Sequence, residues 1–130
     1  MMKFTKLFLV GMASLGLMSS ALDTQAAGAP LLNSAQIKQV LSGNSIRQVD
    51  DQYRAYYAAT GSIEAVYVNI SQTGTWQIQN NQLCQKWQTW ANGQTQCYFV
   101  YKGTGGAYRF DDGRGNGFNF VLRQGRVLSR

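Results

Sequence analysis

From Ser45 to the C-terminus the chain is a succession of short runs rich in Val, Ile, Tyr, Phe, Trp and Thr, broken at intervals of roughly 8 to 12 residues by turn chemistry. The breaks are Asp50-Asp51, Thr60-Gly61-Ser62, Gln72-Thr73-Gly74, Asn80-Asn81, Asn92-Gly93, Gly103 to Gly106, Asp112 to Gly117 and Gln124-Gly125. Turn signals so spaced argue for an antiparallel sandwich or barrel. Several runs alternate with period two: Trp76 and Ile78 against Gln77 and Gln79, Tyr108 and Phe110 against Ala107 and Arg109, Phe118, Phe120 and Leu122 against Asn119, Val121 and Arg123. Eight or nine such strands suit a small up-and-down, lipocalin-like β-barrel of about eight strands, with a β-sandwich as the alternative.

One short helix precedes the strands. Asn33 with Gln36 three residues on makes a capping-box pattern, Ile37, Val40 and Leu41 share a helical stripe, and Gly43 stands where a left-handed residue ends a helix. This helix should plug one end of the barrel or pack on its outside. Ahead of it, Lys3 and Lys6, the apolar run Leu7 to Met18 and the small residues of Thr24-Gln25-Ala26-Ala27 have the form of a secretory signal peptide over residues 1–26. The apolar run is about a dozen residues where a membrane span needs roughly 20, so no transmembrane span is expected after cleavage. The expected mature chain is a single domain, residues 27–130, in the periplasm or secreted.

In an oxidising compartment, Cys84 and Cys97 allow one intramolecular disulfide, whose closed loop is worth on the order of 3 kcal/mol. That pairing conflicts with the hairpin signal. A two-residue Asn92-Gly93 turn would set Cys84 opposite Tyr101, an offset of roughly 13 Å at strand rise. Placing Cys84 opposite Cys97 instead centres the connection between Trp90 and Ala91 and absorbs Asn92-Gly93 into a wider loop. It also puts Leu83, Trp87, Tyr98 and Val100 on one face, read as core.

The residue inventory removes many chemistries. The chain has no His, and all four Met lie in the leader, so zinc, copper and haem lack their usual ligands and neither metal nor cofactor is expected. Asp111-Asp112-Gly113 begins like a calcium loop, but Leu122 occupies the position of its bidentate Glu. Gly113-Arg114-Gly115-Asn116-Gly117 misses the third glycine of a phosphate fingerprint and leads into a strand. Of the acids, the Asp50-Asp51 and Asp111-Asp112 pairs read as turn residues, leaving Glu64 for any carboxylate-dependent hydrolase. No catalytic residue is assigned.

Charge is uneven. The chain holds 12 Lys+Arg against 6 Asp+Glu, a formal net charge of +6. Residues 101–130 hold Lys102, Arg109, Arg114, Arg123, Arg126 and Arg130 against Asp111 and Asp112. Arg109, Arg114, Arg123 and Arg126 are therefore candidate contacts for an anionic envelope component, lipopolysaccharide or phospholipid. Export argues against nucleic acid. The expected function is a non-enzymatic binding or envelope-associated module; a protein inhibitor or adaptor and the Glu64 hydrolase are the alternatives. Most aromatics should be core, because so small a barrel is filled by side chains. Tyr56, on the opposite face from Tyr53 and Tyr57, is the exception.

The order Leu41-Ser42-Gly43-Asn44, Gly74-x-Trp76, Leu83-Cys84, Trp87, Cys97 and Tyr101 resembles small exported proteobacterial proteins in domain families of unknown function. The resemblance implies a disulfide-pinned periplasmic β-domain and no activity. Gly105-Gly106-Ala107-Tyr108 is similar to a Gly-x-x-Tyr segment of periplasmic lysozyme inhibitors, small β-barrels that meet basic lysozymes. A chain this basic would be repelled by such a partner.

Overall fold

A computed structural model describes residues 30–129, and the leader expected over residues 1–26 lies outside them. Helix α1 (Ser34–Leu41) is followed by strands β1 (Asn44–Gln48), β2 (Tyr53–Tyr57), β3 (Ser62–Tyr67), β4 (Ile70–Gln79), β5 (Gln82–Trp87), β6 (Gln96–Lys102), β7 (Ala107–Asp111) and β8 (Gly117–Gln124). Each strand pairs antiparallel with the next, and β8 closes on β1 with Ile46 opposite Leu122. The result is a closed up-and-down barrel, not a sandwich. Closure leaves no strand edge to template association.

The inward phase of the strands supplies the core. Ile46, Ala55, Tyr57, Ile63, Leu83, Val100, Phe110 and Phe120 are fully buried, and Trp76, Trp87 and Tyr108 nearly so. The rings pack with offset and edge-on geometry, Phe110 and Phe120 at 4.4 Å between centroids and Tyr57 and Trp76 at 5.5 Å and 90°.

Because strand direction alternates, the connections fall at two distinct ends. The β2–β3, β4–β5 and β6–β7 turns lie at one end, which α1 stoppers by burying Leu32, Ile37 and Leu41 against the barrel. The capping box is formed: the Asn33 side chain accepts from the Gln36 N–H, and the Gln36 side chain accepts from the Asn33 N–H, both at 2.9 Å. Gly43, at φ +79°, turns the chain out of the helix into β1. Two reciprocal bonds, Ser34 N–H to Asn81 Oδ1 and Asn81 N–H to Ser34 Oγ, tie α1 to the β4–β5 turn. The other end carries the links 49–52, 68–69, 88–95 and 112–116, and no α-helix of the described residues lies over it.

The disulfide decides the hairpin register. Cys84 lies opposite Cys97 with 4.0 Å between Cα atoms, and Leu83 opposite Tyr98. Asn92-Gly93 is absorbed into the long 88–95 loop, which contains the short 3-10 turn Trp90–Gly93. A disulfide marks an oxidising, non-cytoplasmic compartment. No described helix is long and apolar enough to cross a membrane.

One expected turn is absent. Gln72-Thr73-Gly74 lies inside β4, and the β3–β4 reversal occurs at Val68-Asn69. Gly74 answers to crowding, not to a turn: a Cβ there would run into the Lys86 carbonyl of the neighbouring strand. The actual turn holds Val68 at φ +58°, a region that β-branched residues rarely occupy.

Candidate functional site

The inward phase of β1, β2, β3, β5, β6 and β8 delivers a different set of side chains at the open end. Gln48, Tyr53, Tyr67, Gln85, Trp87, Tyr98 and Phe118, with Trp90 from the 88–95 loop, line a cup of about 180 Å³. Its walls are rings in contact. Trp87 meets Trp90 at 5.0 Å and 61°, Tyr53 meets Trp90 at 6.5 Å and 46°, and Tyr53 meets Phe118 at 5.7 Å and 74°.

Trp90 is held in place from outside the cup. The Gln72 side-chain carbonyl accepts from the Thr89 N–H, the Thr89 hydroxyl and, at 3.2 Å, the Trp90 N–H. The following Ala91 and Asn92 both have left-handed backbone, φ 59° and 55°. Of the six described non-glycine residues with positive φ, Asp51, Val68, Ala91 and Asn92 belong to open-end links. Such backbone costs about 1–3 kcal/mol per residue and concentrates at ligand clamps and active sites.

The cup floor is polar but uncharged. The Tyr57 hydroxyl donates to Gln85 Oε1 at 2.9 Å, and the Gln85 amide shares the cup lining with the Tyr53 phenol. Burial raises the pKa values of Tyr53 and Tyr57 well above the ordinary phenol value, and the neighbouring phenols add to the effect. Tyr98 is raised as well, by burial and by the nearby Asp112 carboxylate. All three therefore stay neutral at physiological pH. Among the described residues no carboxylate, amine or guanidinium lines the cup.

The four arginines singled out from the sequence fall on different elements. Arg109, in the middle of β7, pairs with Asp111 at 3.4 Å. Arg114 stands in the 112–116 link at the open end, beside a small groove that includes Tyr98 and Asp112. Arg123 lies near the closed end of β8, opposite Ser45. Arg126 makes a two-pronged bond to Glu64, at 2.7 and 3.1 Å. That contact belongs to a C-terminal strap in which Ser45 Oγ donates to the Gly125 carbonyl and accepts from the Val127 N–H. Glu64 is thus engaged by Arg126, which lowers its pKa. Both Asp pairs lie at the open end, where the Asp112 carboxylate accepts from the Arg114 and Asn116 N–H groups. Tyr56 lies outside the barrel opposite Glu64, as its alternation indicated.

A larger recess of about 500 Å³ lies outside the closed end, between α1 and the β2–β3 turn. Its one aromatic, Trp76, already donates its indole N–H to the Ala58 carbonyl. The smaller cup, although no more enclosed, gathers the rings: Tyr53, Tyr67, Trp87, Trp90, Tyr98 and Phe118 all line it. Among the described residues no group of three or more His, Cys, Asp or Glu is placed to hold a metal ion.

Sequence reasoning placed Trp87 and Tyr98 in the core and did not single out Gln48, Gln85 or Trp90. The available signal was Gln85, an amide in phase with Leu83 and Trp87 on a core-facing strand. No protein-family model matches the chain, and no curated protein or solved structure matches it.

Proposed function

We propose that this chain is an exported, non-enzymatic binding protein of the periplasm or cell exterior that holds a small ligand in the aromatic cup. The observation that carries this reading is one barrel with two unlike ends: one stoppered by α1, the other open over rings and amides. A ligand there meets ring faces, hydroxyls and amides, groups suited to holding a molecule and not to transferring protons or acting as a strong nucleophile.

The test uses the three tryptophans. Trp87 and Trp90 line the cup while Trp76 sits at the closed end, so their indole N–H resonances report on site and control together. Titration with choline, methyl glucoside and benzyl alcohol should move the Trp87 and Trp90 signals and leave Trp76 in place for at least one probe. If none of the three moves them, or Trp76 moves equally, the cup is not a ligand site.

The closed end favours a second reading, the anionic envelope component expected from the charge count. Among the described residues the basic ones there are Lys38, Lys102, Arg123 and Arg126, against Glu64. Under this reading, charge reversal at Lys38, Lys102 and Arg123 abolishes retention on lipopolysaccharide or anionic vesicles, whereas reversal at Arg109 and Arg114 does not.

A further inference from the structure

We propose that the group held in the cup is a compact organic cation of the trimethylammonium type, an inference that rests on the cup being the ligand site. The rings of Tyr53, Trp87, Trp90 and Phe118 stand at 46° to 74° to their neighbours along the wall. Rings so inclined present a curved, open wall to a rounded group and do not form the flat platform on which a sugar ring lies. At about 180 Å³ the space is below that of pockets for drug-sized ligands, so its occupant is small. A ring face carries negative quadrupole density, and tetraalkylammonium groups bind such faces without needing a hydrogen-bond acceptor.

Charge placement agrees. An anion would find no cationic side chain among the described residues of the cup wall. Four of the five described acids, Asp50, Asp51, Asp111 and Asp112, stand on or beside the open-end links, and the Asp112 carboxylate bears on the Tyr98 wall. They face Arg47, Arg54, Lys86, Arg109 and Arg114, five basic groups against four acids, while the described groups of the closed end are four basic against Glu64, so the mouth is the less basic end. A cation approaching the molecule is therefore repelled least at the cup.

The test compares choline and tetramethylammonium with neohexanol, the uncharged tert-butyl isostere of choline, by the same indole resonances and by calorimetry on the wild-type protein. The expected result is at least about tenfold tighter binding of the cations than of the isostere, loss of cation binding in Trp90→Ala, and unchanged binding in Trp76→Phe. Using the wild-type protein keeps the cation-against-isostere comparison independent of whether a variant folds. Vesicles of phosphatidylcholine against phosphatidylglycerol separate the sources: capture of the first supports a lipid headgroup as the donor, and binding of free choline alone supports a solute. If neohexanol binds as well as choline, or methyl glucoside or benzyl alcohol binds while the cations do not, the cation assignment falls and the cup remains a ligand site. If no probe moves Trp87 or Trp90, both readings fall.

Discussion

Gln85 shows how one residue can belong to the core and to the site at once. It occupies an inward position between Leu83 and Trp87, and burying its amide is tolerable because Tyr57 donates to it. Replacing Tyr57 by Phe removes that donor and is expected to cost about 1–3 kcal/mol, measured by urea unfolding. The phenols also set an alkaline limit. Their folded pKa values are raised, so the stability they contribute is complete below the unfolded value near 10.0 and is lost as pH rises through the folded values. Phenolate absorbance from Tyr53 and Tyr57 should accordingly lag behind that of exposed tyrosines and emerge together with unfolding. Val68 tests backbone strain directly. Val68→Gly should stabilise the protein by roughly 1 kcal/mol, since glycine occupies positive φ without steric cost; a loss of stability would refute strain at this turn.

Two elements decide which end is closed. α1 is only eight residues long, too short to persist alone, so it depends on its capping box and on burial of Ile37 and Leu41. Asn33→Ala should lower stability by about 1 kcal/mol in thermal or urea unfolding. At the same end the C-terminal strap is clasped by Glu64 and Arg126 over the outside of the barrel. The lowered Glu64 pKa makes this clasp acid-sensitive: its contribution is present above the unfolded carboxyl value of 4.5 and is lost as pH falls through the folded one. Glu64→Gln should flatten that part of the acid dependence and lower neutral-pH stability by the same amount, a small one because the pair is solvent-exposed. At the open end Gln72 serves the 88–95 loop as Asn33 serves the helix, and the orientation of Trp90 depends on it.

At the scale of the molecule, closure and the disulfide work together. The β5–β6 ladder is the shortest in the barrel, with three register pairs, and Cys84–Cys97 stands at its centre beneath the longest link. Reduction, or paired replacement of both cysteines by Ala, should cost about 3 kcal/mol in denaturant unfolding. The loss should also weaken the cup, whose Trp87, Trp90 and Tyr98 flank that ladder.

The strands, the helix, its caps and the cysteine register were legible in the amino-acid order, because each rests on local rules: period-two alternation, cap chemistry and the one pairing two cysteines permit. The β3–β4 turn was misplaced, since Val68 carries no turn chemistry and Gly74 was selected by a neighbouring strand's carbonyl. Nor could local rules locate the site. Tyr53, Gln85, Trp90 and Phe118 are distant in sequence, and each reads alone as a core or loop residue. Only barrel closure brings them together at one end while α1 covers the other. The same topology places the C-terminal arginines on the barrel wall, the open rim and the strap, because successive strands of an antiparallel barrel run to opposite ends and a linear charge count has no knowledge of ends.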